Sequence, residues 1–464
     1  MKQGRFIVAD FGKTLAKLTL WSADGLCLKK LTRANQTRHA EPYVPLDTAA
    51  TADWLVQSLA TFAGHPVEAI IPVAHGAAVA GISNGALAFA SPDYEWTMPA
   101  AEMAAYRAQR DSFTLTGSPA LPAGLNFGAQ LHYLETQGDL TGVTLMPYAQ
   151  YWTWLLSGMA VSEVTSLGCH SDLWSPAAGD FSPMAKARGW AQRFAPLARA
   201  GDVVGTLRPE LAAQTGLSPQ VRVHTGLHDS NAALLAARGF PEIDGQEATV
   251  LSTGTWFVAM RTPAEPVALA ALPEGRDCLV NVDAFGQPVP SARFMGGREI
   301  ETQIEIDTRR VDIKPDQPAL LAAVPGVLAA GSMMLPSFAP GFGPYPAHHG
   351  RWINRPEDWL ARRAAACLYA ALVSQTALSL IGTRRTLLVE GRFAEAEVFV
   401  RALAVLLPDT AVYTANAHND VSFGALRLID PALRPKGMLT RVAPLAEDLT
   451  DYRNRWTALV EGNS

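Results

Sequence analysis

Two neighbouring stretches of this chain, HTGLHDSNAALLAARGF at 224–240 and EATVLSTGTW at 247–256, bring a carboxylate and a small-residue turn close together in sequence. In the first stretch, Asp229 lies between a glycine-containing turn and an apolar run that predicts a helix. A carboxylate at the start of a helix can accept a proton from a bound hydroxyl. In the second stretch, a β-prone run breaks at Ser252 into a turn whose backbone N–H groups can bind an anion. A proton acceptor and an anion-binding turn together predict phosphoryl transfer to an alcohol.

The length and composition of the chain predict a folded protein of two domains. Its 464 residues are too many for one ordinary core, and they suit two domains of about 200 residues each. Hydrophobic residues make up 48% of the chain and charged residues 17%, so a large core is expected and disorder is not. The formal net charge of −5, with no basic block, argues against nucleic acid as the main partner.

Cysteine usage and the first residues predict a cytoplasmic protein. The four cysteines are far apart and form no C-x-x-C pair, which argues against a disulfide framework or a zinc site. The opening residues MKQGRFIVADFGKT contain an apolar run that is too short for a signal peptide. The uncharged segment 364–382 is about as long as a minimal membrane span, but it is rich in alanine and contains several polar residues. We therefore predict that it is a buried or half-buried helix.

The chain opens with the pattern strand, turn, strand, turn, strand. The first turn is Asp10-Phe11-Gly12-Lys13-Thr14. Asp10 ends a strand where a metal-bound water can lie, Gly12 permits a close approach of the backbone to a ligand, and Lys13 can place a charge on a phosphate. The alternative is a plain β-hairpin with a solvated aspartate and lysine.

A possible sugar site follows the next strand. The buried-type strand 67–74 leads directly into His75 and Gly76, and ligands of open α/β sheets lie beyond the carboxyl ends of the strands. The alternative is that His75 only ends the strand. The loop SPDYEW at 91–96 mixes carboxylates with aromatic rings, which suits sugar hydroxyls and C–H patches and draws attention to Asp93 and Tyr94.

The second half of the chain repeats the logic of the first. From residue 247 a strand, a glycine-containing turn and a second strand recur, which suggests an internal duplication. The pattern further predicts a helix over 182–194, an irregular glycine-rich segment over 281–297, and a long helix over 356–382. The last part, from 386 onward, predicts an α/β half-domain that can hold a nucleotide base.

With these residues in view, the chain resembles the FGGY carbohydrate kinases, within the wider fold of sugar kinases, actin and the Hsp70 ATPase. The similarity is greatest to the rhamnulokinase and L-fuculokinase group. It is carried, in order along nearly the whole chain, by DFGKT at 10–14, AHG at 74–76, GLHDSN at 226–231, LSTGTW at 251–256, ARFMGGREIE at 292–301, VEGRF at 389–393 and NDVSFGALRL at 419–428.

The resemblance implies an α/β fold of two actin-like (ribonuclease H-like) domains with an interdomain cleft. Residues 1–240 would carry the sugar site, the first phosphate loop and the catalytic aspartate, and residues 241–464 the second phosphate loop and the adenosine site. The implied general base is Asp229, and Asp10 would hold Mg²⁺ through water. The expected ATP-binding residues are Gly12, Lys13, Thr14, Thr253, Gly254, Thr255, Gly391, Asn419 and Ser422. The expected sugar-binding residues are His75, Gly76, Asp93, Tyr94 and His228.

Three departures from the family pattern affect nucleotide and sugar preference. The glycine-rich turn on the adenosine side is usually two or three consecutive glycines, and here it is Gly391-Arg392-Phe393. Lys13 stands where many relatives have a small residue. The loop 91–96 lacks the arginine that is often found there.

The predicted function is an ATP- and Mg²⁺-dependent sugar kinase, with the 1-hydroxyl of an L-fuculose or L-rhamnulose type ketose as acceptor. The open alternatives are a kinase of a polyol such as glycerol or erythritol, a non-catalytic sugar- or nucleotide-binding regulator, and an ATPase of the actin or Hsp70 type. Asp229 alone also fits a purely structural helix N-cap, and His228 fits a structural role as well as a sugar contact. The expected partners are a small-molecule sugar and ATP, without nucleic acid or membrane, and a homodimer is open.

Overall fold

The computed structural model describes residues 4–36, 40–308, 310–415 and 421–462. Within them, alternating and continuous apolar runs form strands, and apolar residues at helical spacing form helices. The strands are β1 (Arg5–Phe11), β2 (Leu15–Ser22), β3 (Cys27–Ala34), β4 (Val67–Ala74), β5 (Val79–Ser83), β6 (Ala86–Leu87), β7 (Thr144–Pro147), β8 (Trp174–Ser175), β9 (Asp180–Phe181), β10 (Val203–Thr206), β11 (Arg222–His224), β12 (Leu227–His228), β13 (Ala248–Thr253), β14 (Phe257–Thr262), β15 (Cys278–Val282), β16 (Pro288–Phe294), β17 (Met333–Leu335), β18 (Arg351–Ile353), β19 (Arg385–Gly391), β20 (Thr410–Ala415) and β21 (Leu439–Arg441). The α-helices are α1 (Thr48–Ala60), α2 (Ala100–Arg107), α3 (Phe113–Thr116), α4 (Phe127–Gln137), α5 (Tyr148–Ser157), α6 (Val164–Leu167), α7 (Pro183–Ala187), α8 (Pro209–Thr215), α9 (Asp229–Ala237), α10 (Gly296–Ile304), α11 (Gln317–Ala329), α12 (Trp359–Leu380), α13 (Glu397–Leu406), α14 (Val421–Ile429) and α15 (Thr450–Glu461).

Contacts between residues divide the chain into two units. The first comprises Met1–Gly239, Val280–Pro288 and Asn419–Pro435, and the second comprises Phe240–Leu279, Val289–His418 and Lys436–Ser464. The predicted boundary at 240/241 places Val280–Pro288 and Asn419–Pro435 in the second domain. The contacts group both segments with the first unit instead. For the second of these segments the reason is packing, because α14 lies directly against α9.

The sheet of the first unit has the strand order β10-β11-β4-β1-β2-β3, with β12 also paired to β4. β1 runs antiparallel to β2 and parallel to β4, and β4 runs parallel to both β11 and β12. β1 is apolar along most of its length because both faces of this sheet are covered. Ile7, Ala9 and Phe11 face one core, which includes residues of α1 and α5. Phe6 and Val8 face the other core, which includes residues of α9 and α14.

A second seven-stranded sheet, most of whose strands lie in the second unit, repeats this arrangement. Its strand order is β15-β16-β14-β13-β19-β20-β21. β13 runs antiparallel to β14 and parallel to β19, as β1 runs antiparallel to β2 and parallel to β4. The two units therefore share one strand arrangement, as an internal duplication predicts.

The uncharged segment near residue 370 forms part of α12. The Asp358 carboxylate caps this helix by accepting a hydrogen bond from the Ala361 N–H at 2.7 Å. Its central residues, from Arg363 to Ser374, are buried, which confirms the prediction of a buried or half-buried helix. In the described parts of the chain, no helix combines the length and the apolar character needed to cross a bilayer.

Two predicted elements are wrong. The helix expected over 182–194 is limited to α7, because Gly189 takes a φ of +69° and Trp190 then turns inward to donate to Glu135 at 2.7 Å. The segment 281–297, expected to be irregular, contains the last two residues of β15 and all of β16. The Asp283 carboxylate stabilises the turn between them by accepting from the N–H groups of Phe285 and Gln287, each at 2.9 Å.

Candidate active site

The carboxyl ends of three strands lie side by side in the first unit. Ala74 at the end of β4 is the register partner of Phe11 in β1 and of His228 in β12. Ligands of α/β sheets bind at such strand ends. The residues that directly follow these partners are Gly12, His75 and Asp229.

Gly226 allows β12 to stay beside β4. It has a φ of +76°, and a Cβ at this position would lie 2.1 Å from the carbonyl oxygen of Pro72. Only glycine fits both conditions without strain. The turn that carries Asp229 is therefore held against the sheet by the close approach of two backbones.

The Asp229 carboxylate is enclosed but still reachable. Its side chain is 29% exposed, and its Oδ1 accepts hydrogen bonds from the N–H and the hydroxyl of Ser230 at 2.6 and 3.3 Å. Burial raises the pKa of Asp229, while nearby His75 and the bonds from Ser230 act in the opposite direction. Because the N-cap position is His228 and no side chain caps the helix, the interpretation of Asp229 as a plain N-cap is not supported.

His228 lies behind Asp229 and is neutral. Burial lowers the pKa of His228 to about 4. Its Nδ1 lies 3.4 Å from the amide nitrogen of Asn231, and its Nε2 lies 3.1 Å from Oδ1 of Asp229. Because the Asn231 amide nitrogen can only donate, this arrangement assigns the proton to Nε2, which lies close to the Asp229 carboxylate and 3.9 Å from the Cys169 sulfur. A Cβ on Gly76 would lie 2.6 Å from the same Nε2, so Gly76 provides the space for this ring.

Two residues that the sequence analysis missed hold the backbone at His228. The Thr165 hydroxyl accepts a hydrogen bond from the His228 N–H at 3.0 Å and itself donates to the Glu163 carboxylate. Glu163 also accepts from the Thr165 N–H at 3.0 Å. Glu163 and Thr165 are each 0% exposed. Their contacts are therefore buried and fix the chain just before Asp229.

His75 lies between two aromatic rings at the end of β4. Its ring centre is 5.4 Å from that of Tyr94 and 5.4 Å from that of Tyr148. Its Nδ1 is 3.0 Å from the carbonyl oxygen of Gly76, which leaves Nε2 as the other hydrogen-bonding atom. Burial lowers the pKa of His75. A neutral imidazole in this position suits a hydrogen bond to a sugar hydroxyl.

The loop 91–96 contacts the first glycine turn through charged groups. The Lys13 ammonium pairs with Asp93 and lies 3.5 Å from Glu95. It also lies 5.4 Å from the centre of the Tyr94 ring, a cation–π distance. The structure therefore brings Lys13 together with the two residues that were predicted to bind the sugar.

The first glycine turn itself is closed by Asn35. The Asn35 side-chain amide donates to the carbonyl oxygen of Gly12 at 2.7 Å, and its backbone N–H donates to that of Thr14 at 2.9 Å. A Cβ on Gly12 would lie 2.9 Å from the carbonyl oxygen of Leu15, so the turn tolerates little more than glycine there. Thr14 is exposed and can contact a ligand.

Asp10 fits a magnesium site of the water-mediated kind. Its carboxylate lies 3.1 Å from the Lys17 ammonium, and its side chain is 11% exposed. Among the residues that the structure describes, no group of three or more metal-ligating side chains is found. Mg²⁺ commonly keeps several waters and binds one or two carboxylates together with substrate phosphates, so one carboxylate suffices here.

A cavity of about 130 Å³ adjoins these groups. Its lining includes Gly12, Lys13, His75, Asp93 and Tyr148. Asp229 does not line it, but it follows the strand end beside that of His75, and its charge opposes the lowering of the His75 pKa by burial. The first glycine turn, the loop 91–96 and the end of β4 thus line one recess in the first unit.

The second glycine turn lies in the second unit, between β13 and β14. The Thr253 hydroxyl donates to the carbonyl oxygen of Glu390 at 2.5 Å and accepts from the Phe393 N–H at 3.1 Å. Gly391 has a φ of +85°, and a Cβ there would lie 2.1 Å from the carbonyl oxygen of Thr253. The structure therefore brings the turn at Thr253 and the turn at Gly391 into contact. Gly254 and Thr255 are half-buried at the tip of this turn.

Two further residues, Asn419 and Ser422, were predicted to bind the nucleotide. Asn419 lies outside the described residues. Ser422 lies in α14 of the first unit and is 0% exposed, so its hydroxyl is closed to a direct contact with a ligand.

Comparison with known proteins identifies the family. The model of the C-terminal domain of FGGY carbohydrate kinases matches residues 245–436. The solved structure of a carbohydrate kinase from Novosphingobium aromaticivorans is 64% identical in sequence, with 100% of this chain and 99% of that chain covered and a TM-score of 0.96. The chain belongs to the FGGY family of carbohydrate kinases. A search among curated proteins found no match.

More distant carbohydrate kinases share the fold. A xylulose kinase from Rhodospirillum rubrum is 19% identical with a TM-score of 0.80, and the alignment covers 99% of this chain and 98% of that one. A glycerol kinase from Plasmodium falciparum, solved with ADP, is 10% identical with a TM-score of 0.77 and the same coverage. The predicted α/β fold of two actin-like domains is therefore confirmed.

The protein is thus an enzyme, an ATP-dependent FGGY kinase of a sugar or polyol. The assignment to the rhamnulokinase and L-fuculokinase group stays a prediction.

In this kinase, the sequence signal for Glu163 and Thr165 was weak, since VSEVTS at 161–166 resembles any capped turn. The one available signal was an acidic residue two positions before a hydroxyl at a helix start.

Proposed function

We propose that the protein transfers the γ-phosphoryl group of ATP to the 1-hydroxyl of a ketose of the L-fuculose or L-rhamnulose type. The observation that carries the proposal is the Asp229 carboxylate. It lies at the strand ends shared with Gly12 and His75, is 29% exposed, and is held by His228 and Ser230. A fixed, reachable carboxylate beside a hydroxyl-binding histidine suits proton removal from an alcohol.

In this proposal Asp229 is the general base. It accepts a hydrogen bond from the acceptor hydroxyl and takes its proton while the hydroxyl oxygen bonds to the γ-phosphorus. The bond from that phosphorus to the ADP oxygen breaks, and the electron pair leaves with ADP. A pKa raised by burial makes Asp229 a stronger proton acceptor than a solvated aspartate, provided that it is ionised at the working pH.

We assign the sugar contacts to residues around the recess of the first unit. The imidazole of His75 and the carboxylate of Asp93 would bind hydroxyls, and the Tyr94 ring would cover a C–H patch. Gly76 provides the space for the His228 ring. His228 itself contacts Asp229, so we assign it to orienting the base.

The nucleotide contacts in the proposal come from the glycine turns. Thr14 in the first unit, and Thr253 and Thr255 in the second, would bind phosphate oxygens, and Gly391 would border the adenosine. Gly12 and Gly254, whose own N–H groups donate to the carbonyl oxygens of Leu15 and Trp256 at 3.1 and 2.9 Å, would let the phosphates approach the backbone. Asp10 would hold Mg²⁺, which neutralises charge on the phosphates when bound. A cytoplasmic location remains part of the prediction.

The test is ADP release with Mg·ATP across L-fuculose, L-rhamnulose, L-ribulose, D-xylulose, erythrulose and glycerol. Asp229→Asn should lower kcat by at least about a hundredfold, as expected for loss of a general base. Its Kd for ATP, measured by calorimetry, should stay within about twofold, because the variant keeps the shape of the side chain. Asp53→Asn, on the exposed face of α1, is the matched control and should leave both values unchanged.

Each outcome decides one part of the proposal. Release only with glycerol would replace the ketose by a polyol. No release with any acceptor, together with tight ATP binding, would favour the non-catalytic regulator. Loss of ATP binding in a folded Asp229→Asn variant would show that Asp229 serves the nucleotide.

A further inference from the structure

Lys13 connects the first glycine turn to the loop 91–96. Its ammonium pairs with Oδ2 of Asp93 and lies 3.5 Å from a carboxylate oxygen of Glu95. The same group lies 5.4 Å from the centre of the Tyr94 ring. Three successive residues of the loop therefore contact one side chain from the turn.

Both oxygens of the Asp93 carboxylate take part in this connection. Its Oδ1 accepts a hydrogen bond from the Glu95 N–H at 2.9 Å, and its Oδ2 accepts from Lys13. Asp93 is 3% exposed, and its own N–H donates to the carbonyl oxygen of Val44 at 2.9 Å. Separating an enclosed ammonium–carboxylate pair leaves both charges poorly solvated, which is costly. The carboxylates of Asp93 and Glu95 beside the Lys13 ammonium offset its charge, so it attracts a phosphate less strongly than an unpaired lysine would.

The connection also fixes one wall of the recess. The ring of Tyr94 packs edge-on against the ring of His75, with centres 5.4 Å apart. Lys13, His75 and Asp93 line the same cavity. A movement of the Lys13 ammonium would therefore release the side chains that shape the acceptor side of the site.

We propose that Lys13 is a specificity-determining residue for the acceptor sugar. It holds Asp93 and Tyr94 in place against His75, and it does not bind the phosphates of ATP. This assignment replaces the predicted contact of Lys13 with a phosphate, and it rests on the proposed function because it gives the recess to the acceptor.

Lys13→Met tests the proposal, since methionine keeps an unbranched side chain and removes the charge. The KM for the best ketose of the panel should rise by about tenfold or more, and the Kd for ATP should stay within about twofold. Because Lys13 and Asp93 act through one pair, the loss in the double variant should be smaller than the sum of the losses of Lys13→Met and Asp93→Asn. Lys13→Arg keeps the charge and should recover much of the sugar affinity.

Two controls make the result decisive. Lys30→Met, at an exposed position of β3, should change neither constant. Thermal unfolding with and without the ketose reports sugar binding independently of turnover.

A raised Kd for ATP with an unchanged KM for the ketose would overturn the proposal, as would strictly additive losses in the double variant. If the wild-type protein phosphorylates no acceptor, the proposed function fails, while the ATP affinity of Lys13→Met still decides whether Lys13 serves the phosphates.

Discussion

At the scale of single residues, Glu163 is a buried carboxyl that holds the backbone next to the proposed base. Its Oε2 accepts from the Thr165 N–H and hydroxyl, and no described residue gives Oε1 a hydrogen-bond partner. Burial raises the pKa of Glu163 from 4.5 to about 7. In the unfolded chain the same group is solvated, so folding and proton binding are linked.

The sign of this linkage follows from the direction of the shift. Between pH 4.5 and about 7 the folded protein holds the Glu163 proton and the unfolded chain does not. The contribution of Glu163 to stability is therefore complete below pH 4.5, falls as the pH rises through this window, and is lost above about pH 7.

We predict that Glu163→Gln removes this pH dependence. Between pH 5.5 and 8, the free energy of unfolding of the wild-type protein should fall by about 2 kcal/mol more than that of the variant. Urea unfolding at the two pH values measures the difference. Glu210→Gln, at an exposed position in the first turn of α8, serves as control and should behave like the wild-type protein. Equal pH dependence in Glu163→Gln would show that Glu163 is already ionised in the folded protein.

At the scale of elements, α14 and α9 pack so closely that their backbones nearly touch. A Cβ on Gly424 would lie 1.7 Å from the carbonyl oxygen of Ala232 in α9. Alanine neighbours on both helices, among them Ala236 and Ala425, are also fully buried. Small residues on both faces allow this approach, and a methyl group on Gly424 would force the helices apart.

We therefore predict opposite effects for two glycine-to-alanine changes within helices. Gly424→Ala should lower the free energy of unfolding by about 1–3 kcal/mol, because overpacking outweighs the gain in helix propensity. Gly326→Ala, in α11 with no atom near the new methyl group, should raise it by up to about 1 kcal/mol. Thermal and urea unfolding measure both. A neutral or stabilising Gly424→Ala would contradict the close packing of the two helices.

At the scale of the whole molecule, the first unit is not continuous in sequence. One of its hydrophobic cores contains residues from β1 and α9 together with Phe423, Leu426 and Leu433 from the segment around α14. A chain that ends near residue 240 would expose the apolar face that this segment covers.

We predict that a fragment of residues 1–239 aggregates or unfolds without cooperativity. The same fragment joined by a glycine–serine linker to 419–435 should be monomeric and should melt cooperatively, because the apolar face is covered again. Size-exclusion chromatography and thermal unfolding compare the two. Phe423→Asp in the joined segment is the control and should abolish the improvement. A stable, cooperative 1–239 fragment would contradict the role of α14 in the core.

Several features could be predicted from local sequence. β4 has the predicted bounds, because a continuous apolar run is a local signal. The turns at Gly12 and Gly254 were also located, since small residues mark them in any context. The position of Asp229 at the first residue of α9 follows from the same kind of signal.

Other features depended on distant contacts. The predicted helix 182–194 failed because Trp190 is drawn inward by Glu135, and the partners in the pair between Lys13 and Asp93 are 80 positions apart. The grouping of α14 with the first unit likewise depends on its contact with α9.

The amino-acid sequence by itself determined the order of strands and turns, the duplicated strand arrangement, the family and the candidate base Asp229. Each of these depends on neighbouring residues or on an ordered set of motifs. Only the tertiary structure decided that Lys13 faces Asp93, that the His228 N–H donates to the buried Thr165 hydroxyl, and that Glu163 supports Thr165 in turn. The first two contacts join residues that are 80 and 63 positions apart in the chain. The energies of all three depend on burial, which no local pattern specifies.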